Sequence, residues 1–207
     1  MKPKQPIIGL CGAIGAGKSR VAAEFERLGC LVVDSDRLSH EVLAQPEVVE
    51  TLRQWWGADV VAADGGPDRR RIGKIVFADP EQRRRLESLV HPLIASRRAA
   101  MIRAVRDSTA VKAIIIDSPL LFEANLDRQC DTIVFVNAGE PQRFGRLRAA
   151  RGWDAEEVRR REQWQQPAVE KRSRAEFVVE NDEPAERLAP QVADILEKIL
   201  ARRSAAE

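Results

Sequence analysis

The sequence has few cysteines and no long apolar run. Its 207 residues include only Cys11, Cys30 and Cys130, with no Cys-x-x-Cys pair, which argues against a disulfide framework or a zinc site. No stretch approaches the roughly eighteen apolar residues of a membrane span. The apolar segment near the N-terminus covers only Ile7–Cys11, too short for a signal peptide. We therefore expect a cytoplasmic protein that does not enter the membrane.

The chain also lacks an excess of charge of one sign. Its 34 basic and 32 acidic residues leave a formal net charge of +2, which provides no general attraction to nucleic acid or to a membrane. Hydrophobic residues make up 44% of the chain, enough to build the core of one compact domain. We expect a monomer or a weak homo-oligomer that does not bind nucleic acid.

Strand and helix patterns alternate at the start of the chain. Ile7–Cys11 and Leu31–Val33 are typical of buried strands, and Ser19–Leu28 has apolar residues at helical spacing between them. This order predicts a βαβ unit in a parallel sheet with right-handed crossovers. The sequence predicts three further strands: Ala113–Asp117, Thr132–Val136 and Glu176–Val179.

The middle of the chain carries no strong strand pattern. We interpret residues 37–110 as a helical insertion within a single domain, 1–207. Its helices are predicted at Leu38–Leu43, Pro46–Trp56, Ile72–Phe77, Pro80–Val90 and Pro92–Val105. Pro184–Leu200 is predicted as a closing amphipathic helix.

A glycine-rich loop separates the first strand from the first helix. It has the pattern Gly-x-x-x-x-Gly-Lys-Ser and reads Gly12-Ala13-Ile14-Gly15-Ala16-Gly17-Lys18-Ser19. The glycines let backbone N–H groups approach phosphate, the lysine can reach the β- and γ-phosphates, and the serine hydroxyl can bind Mg²⁺. We therefore predict a nucleoside triphosphate site in an α/β, three-layer P-loop fold with a short parallel sheet. The chain has neither an Asn-Lys-x-Asp nor a Leu-Ser-Gly-Gly-Gln motif, so the P-loop alone does not choose the enzyme class.

Carboxylates follow two of the predicted strands. Asp34 and Asp36 come after the second strand and Asp117 ends the third, and ligands of open parallel sheets bind beyond these strand ends. One carboxylate there can take a proton from an acceptor hydroxyl, and another can hold Mg²⁺. Alternatively, Asp34 or Asp36 caps the N-terminus of the next helix.

Residues 141–174 are helical and rich in arginine. Such a run is often a solvated helix face paired with glutamates. Beside a P-loop we favour a lid that closes over the triphosphate and supplies arginine to the transferred group.

The residues of these motifs, in their order and spacing, resemble the dephospho-CoA kinase family over most of the chain. The segments that carry the resemblance are Gly9–Ser19, Val33–Asp36, Gly65, Asp68-Arg69, Gly73, Ile75–Phe77, Leu86-Glu87, His91–Ile94, Asp117–Glu123, Asp131, Gln165, Glu170–Arg172 and Val178–Asn181. The resemblance implies transfer of the ATP γ-phosphoryl group to the ribose 3′-hydroxyl of dephospho-CoA, assisted by Mg²⁺.

The resemblance also implies individual roles. Asp36 would be the base, Lys18 and Arg146 would stabilise the transferred charge, and Ser19 and Asp34 would hold the metal. The insertion would bind coenzyme A. The implied acceptor-binding residues are Asp34, Arg69, Phe77, His91, Pro119, Leu120 and Glu123, and Asn181 would lie near adenine. Phe77 and Phe122 can instead be core residues, His91 can fix a helix start before Pro92, and Asn181 can be a turn residue.

The chain departs from the family pattern at two positions. The family usually has a second arginine four residues after Arg146, where this chain has Ala150; Arg151 or Arg148 is the candidate substitute. Arg20 stands where the family commonly has threonine, and we expect activity to be retained. The rival interpretations are a kinase of a nucleoside monophosphate or another small molecule, and a nucleotide-dependent switch without phosphotransfer.

Overall fold

Five strands form a parallel sheet in the computed structural model, which describes residues 5–106, 108–182 and 185–205. The strands are β1 (Ile7–Gly12), β2 (Leu31–Asp34), β3 (Ile114–Asp117), β4 (Thr132–Asn137) and β5 (Phe177–Glu180). Their spatial order is β2-β3-β1-β4-β5, and each neighbouring pair is parallel. The α/β class with a parallel sheet is confirmed.

Crossover segments connect the parallel strands, and the one between β3 and β4 contains only a 3-10 turn. The α-helices lie in the other connections and in the segment after β5. They are α1 (Lys18–Arg27), α2 (Ser35–Leu43), α3 (Pro46–Trp56), α4 (Arg69–Ala78), α5 (Pro80–Val105), α6 (Glu140–Arg151), α7 (Ala155–Glu162), α8 (Ala168–Ser173) and α9 (Ala185–Ala205). Short 3-10 turns lie at Ala58–Val60 and Leu126–Gln129. None of these described helices is both long and apolar enough to cross a membrane.

The chain divides into two units, Met1–Asp34 with Ala104–Glu207, and Ser35–Arg103. The first contains the sheet. Alternate strand residues face opposite sides of a sheet, so Ile8 and Leu10 join a core with α1 and α9, whereas Cys11 joins a second core with Phe122 and Phe135. Both faces of the sheet are therefore covered, as expected for parallel strands.

The second unit consists of α2–α5 and has its own apolar core, which includes Val42, Leu52 and Val90. The side chain of Asp68 accepts hydrogen bonds from the first-turn N–H groups of α4 and so caps that helix. The unit's limits, Ser35 and Arg103, differ at both ends from the insertion predicted at 37–110.

The prediction of two helices on either side of His91 was wrong. Helix α5 runs without a break from Pro80 to Val105 and contains Pro92. Proline removes one helical N–H donor and usually ends or kinks a helix. Here Val90 before it and Ile94 after it pack in the same core, and this shared packing outweighs the lost hydrogen bond.

Candidate active site

The loop between β1 and α1 has the backbone of an anion-binding turn. Gly15 and Gly17 have positive φ angles of 78° and 85°, which side-chain-bearing residues rarely adopt. Gly17 is the N-cap of α1, offers no side-chain acceptor, and is followed by a first turn without acidic residues. The positive end of the helix dipole is therefore free of a local carboxylate, which suits the binding of phosphate.

Asn181, directly after β5, holds this loop. It is 1% exposed, and its Nδ2 donates to the carbonyl oxygen of Ala16 at 2.7 Å. A Cβ atom at Gly17 would lie 2.3 Å from that Nδ2, so only glycine allows the approach. The amide nitrogen of Asn181 thus contacts the loop backbone, and contact with adenine stays a prediction.

Two arginines of α6 reach the same loop. Arg146 donates from Nη1 to the Ala16 carbonyl at 3.3 Å and from Nη2 to the Asn181 carbonyl at 2.6 Å. Arg143 donates to the Ile14 carbonyl at 2.9 Å. Because the acceptors of Arg146 are neutral, they leave its positive charge beside the loop, where phosphate charge would develop.

Arg143 also joins the loop to helix α7. Its Nη1 lies 2.6 Å from Glu162 Oε1, and the arginine side chain is only 11% exposed. A partly buried ion pair of this kind is less screened by solvent than an exposed pair. The first two helices of the predicted lid are therefore connected to each other and to the loop.

Carboxylates lie on the strand ends of the same unit. Asp34 at the end of β2 is the direct neighbour of Asp117 at the end of β3, and Asp117 is also paired with Leu10, two residues before the loop begins. Within the described residues no group of three or more His, Cys, Asp or Glu is placed to hold a metal. Mg²⁺ is usually bound by one or two carboxylates together with waters and substrate phosphates, and Asp34 and Asp117 are neighbouring carboxylates at this edge of the sheet.

The second unit carries four of the predicted residues, and all four are exposed. Asp36 lies in the first turn of α2, Arg69 begins α4 and His91 lies within α5. Phe77 is 72% exposed, so its interpretation as a core residue was wrong, whereas Phe122 is 4% exposed and is core. His91 does not fix a helix start, because α5 begins at Pro80.

Comparison with known proteins decides the family. The family model described as dephospho-CoA kinase matches residues 6–186, which is most of the chain. The chain belongs to the dephospho-CoA kinase family.

A relative agrees with this family assignment, and solved structures share the fold. A dephospho-CoA kinase from Chlorobaculum tepidum is 35% identical over 97% of this chain and 98% of its own length. The crystal structure of TT1252 from Thermus thermophilus has a TM-score of 0.78 and 35% identity, and the match covers 96% of this chain and 98% of that one. A dephospho-CoA kinase structure from Campylobacter jejuni has a TM-score of 0.65 at 18% identity, covers 94% and 97% of the two chains, and supports the P-loop kinase fold.

The departure of this chain from the dephospho-CoA kinase pattern after Arg146 coincides with the end of α6. Arg151 is the last helical residue, and Gly152 follows in the left-handed conformation with φ 68°. The Arg151 guanidinium lies 4.7 Å from the centre of the Trp153 ring, a cation–π distance. Arg148 is exposed. The choice of second lid arginine stays a prediction.

Sequence reasoning missed the burial of Lys171. This α8 residue is 1% exposed and its Nζ donates to the Pro119 carbonyl at 3.1 Å and to Gln165 Oε1 at 2.9 Å. Two residues predicted to bind the phosphoryl acceptor lie in the same segment as Pro119. Leu120 is 40% exposed, and Glu123 Oε1 lies 3.6 Å from the lysine Nζ. In a segment so rich in cations, composition did not distinguish this lysine from its solvated neighbours.

Proposed function

We propose that this chain transfers the γ-phosphoryl group of ATP to the ribose 3′-hydroxyl of dephospho-CoA, giving CoA and ADP. The observation that carries this proposal is the family match across residues 6–186. The site is consistent with it, because a P-loop with an open helix N-terminus lies beside the guanidinium of Arg146. We expect the reaction to occur in the cytoplasm, with a monomer or weak homo-oligomer that needs no nucleic acid.

The loop residues would hold the triphosphate. The backbone N–H groups of Gly12–Ser19 and the Lys18 ammonium group offer donors and positive charge to the phosphates. Ser19, exposed in the first turn of α1, and Asp34, at the end of β2, are the oxygen donors that we assign to Mg²⁺, which prefers such ligands. When bound, the metal would neutralise charge on the phosphates during transfer.

The remaining roles concern the transfer itself. We assign Arg146 to the charge of the transferred group, since its guanidinium is already held at the loop by two carbonyl oxygens. Asp36 would orient the acceptor hydroxyl and accept its proton, a task that its exposed carboxylate can perform. Arg69, Phe77 and His91 are exposed candidates for binding the acceptor.

The test is an acceptor panel with Mg·ATP. Purified protein is supplied with dephospho-CoA, nucleoside monophosphates or shikimate, and products are identified by mass spectrometry. We expect formation of CoA only from dephospho-CoA, with ADP formed in equal amount. Turnover of a monophosphate but not of dephospho-CoA would establish the rival kinase, and slow ATP hydrolysis that ignores every acceptor would establish a switch. Lys18→Met is the control for contaminating kinases, because it removes the phosphate-binding ammonium group.

A further inference from the structure

Lys171 is a buried cation to which the proposed reaction assigns no role. Its Nζ has one neutral acceptor in Pro119, a second in Gln165, and the Glu123 carboxylate at 3.6 Å. A lysine ammonium group has three N–H donors and no acceptor. Two of these donors form hydrogen bonds to Pro119 and Gln165, and the Glu123 carboxylate lies at ion-pair distance, so the amine is surrounded by partners from the protein.

The burial of this charge has a free-energy cost. Burial lowers the pKa of Lys171 below its ordinary value, the carboxylate of Glu123 partly opposes this, and the positive charge of Lys18 lowers the pKa further. Removing one partner of a buried ion pair is strongly destabilising. Replacing the whole pair with apolar side chains of similar volume, by contrast, is often neutral or stabilising. Packing alone therefore does not account for a lysine at this position.

The partners of Lys171 come from two segments far apart in sequence. Pro119 and Glu123 bound the segment that follows β3, while Gln165 and Gln166 lie between α7 and α8. The backbone N–H of Gln166 also donates to Glu123 Oε1 at 2.6 Å. Lys171 is thus the centre of a polar cluster that fixes the segment after β3 against the chain entering α8.

Pro119 and Glu123, which this cluster fixes, are predicted to contact the phosphoryl acceptor. Leu121 and Phe122 lie between Pro119 and Glu123 and are buried in the core, with 0% and 4% exposure. The Lys171 cluster and this core therefore anchor the segment after β3 from two directions. Glu123 keeps its second oxygen, Oε2, without a hydrogen-bond partner within the described part of the chain. An orphaned buried carboxylate oxygen is unfavourable and can accept a hydrogen bond from a ligand.

We propose that Lys171 is a positioning residue that holds Pro119 and Glu123 in the geometry that binds the phosphoryl acceptor. The identity of the acceptor, dephospho-CoA, rests on the proposed function. Lys171 acts through these two residues and does not touch ATP.

Steady-state kinetics of Lys171→Met test this role. The substitution keeps the length of the side chain and removes its charge and donors. We expect the KM for dephospho-CoA to rise about tenfold or more, equivalent to about 1.4 kcal/mol of binding, while the KM for ATP stays within about twofold. The Tm should fall, because Glu123, Gln165 and the Pro119 carbonyl lose their common partner. Lys198→Met is the matched control, since Lys198 is exposed and its ion pair is with Asp194 on its own helix.

Glu123→Gln provides a second, milder variant that preserves side-chain shape. We expect it to raise the KM for dephospho-CoA as well, and the double variant to be less impaired than the two effects multiplied, because both act through one cluster. An unchanged KM for the acceptor in both variants would overturn the proposal, as would parallel increases of the KM values for dephospho-CoA and for ATP. Wild-type protein is assayed first. If it uses another acceptor, the proposed function fails, and the same KM comparison with that acceptor still tests Lys171.

Discussion

Replacing Gly17 with alanine tests how the phosphate loop is held. Gly17 has φ 85° and ψ 33°, a left-handed conformation that is unfavourable by about 1–2 kcal/mol for a residue with a Cβ atom. The new Cβ would also lie 2.3 Å from Asn181 Nδ2, so the buried amide must move and lose its bond to Ala16. Leaving such a buried group unsatisfied is unfavourable by about 1–3 kcal/mol. We expect a total destabilisation of about 2–5 kcal/mol, the sum of the two contributions.

Gly152→Ala separates the two contributions. Gly152 also has a left-handed backbone, with φ 68° and ψ 15°. Among the described residues beyond its chain neighbours, however, no heavy atom lies within 4 Å of a Cβ atom built there. It should therefore lose only the conformational part, about 1–2 kcal/mol. Both variants are measured by equilibrium urea unfolding without nucleotide, and the difference between them reports the displacement of Asn181.

A double-mutant cycle with Asn181→Ala completes the test. The single Asn181 variant loses the same hydrogen bond that Gly17→Ala disrupts, so the double variant loses it only once. We expect the double variant to be more stable than additivity predicts by about 1–3 kcal/mol, since the residues are in contact. The reasoning is refuted if the effects add within about 0.5 kcal/mol, or if Gly17→Ala is no more destabilising than Gly152→Ala.

Three further predictions concern catalysis and thiol chemistry. Asp36→Asn should lower turnover by about 10²–10⁴-fold with little change in ATP affinity by calorimetry; near-normal turnover would exclude Asp36 as the base. Arg146→Ala should lower kcat by about 10²–10³-fold, whereas the exposed Gln142 on the same helix should tolerate alanine within about twofold; equal losses would contradict the assignment. Burial raises the pKa of Cys11 to about 12 and of Cys30 to about 11, so both thiols should resist iodoacetamide at pH 8. After unfolding, when the thiol pKa returns to about 8.5, they should react at least about 10²-fold faster. Rapid alkylation of either cysteine in the folded protein, located by mass spectrometry, would contradict their burial.

The elements around the loop could be predicted because their signals are local. The apolar run of β1, the glycines and the helical spacing of Val21 and Phe25 all lie within about thirty residues, and each supports the same βαβ arrangement. The break predicted at Pro92 failed because it considered only the backbone donor that proline removes. Whether a helix continues past proline depends on packing from distant parts of the unit, here around Val90 and Ile94.

In the predicted lid, the sequence indicates which face of α6 turns inward but not what that face packs against. A helix places residues three and four apart on one face, so Arg143, Arg146 and Leu147 share a face of α6. Leu147 is buried, and its position indicates which face turns inward. The sequence does not show what the face packs against, because Ile14 and Ala16 are more than a hundred residues away. The same holds for Lys171, whose partner Pro119 is 52 residues distant.

The contacts between α6 and the phosphate loop limit which residues of the predicted lid can move. The backbone carbonyl of Arg143 and the side chain of Leu147 lie so close to Gly15 that a Cβ there would be 2.9 Å and 2.8 Å from them, and Arg146 donates to two further carbonyls. Moving α6 away from the loop would break these hydrogen bonds and expose Leu147, so α6 is part of the structure that shapes the phosphate loop. Gly152 ends that helix with a left-handed backbone, and among the described residues beyond its chain neighbours no heavy atom lies within 4 Å of a Cβ atom built there. We therefore expect the chain to pivot at this glycine. Closure over ATP would therefore involve the residues after Gly152 within the predicted lid, 141–174. The ion pairs Arg143–Glu162 and Arg159–Glu140 join α6 to α7, and both must break for α7 to open.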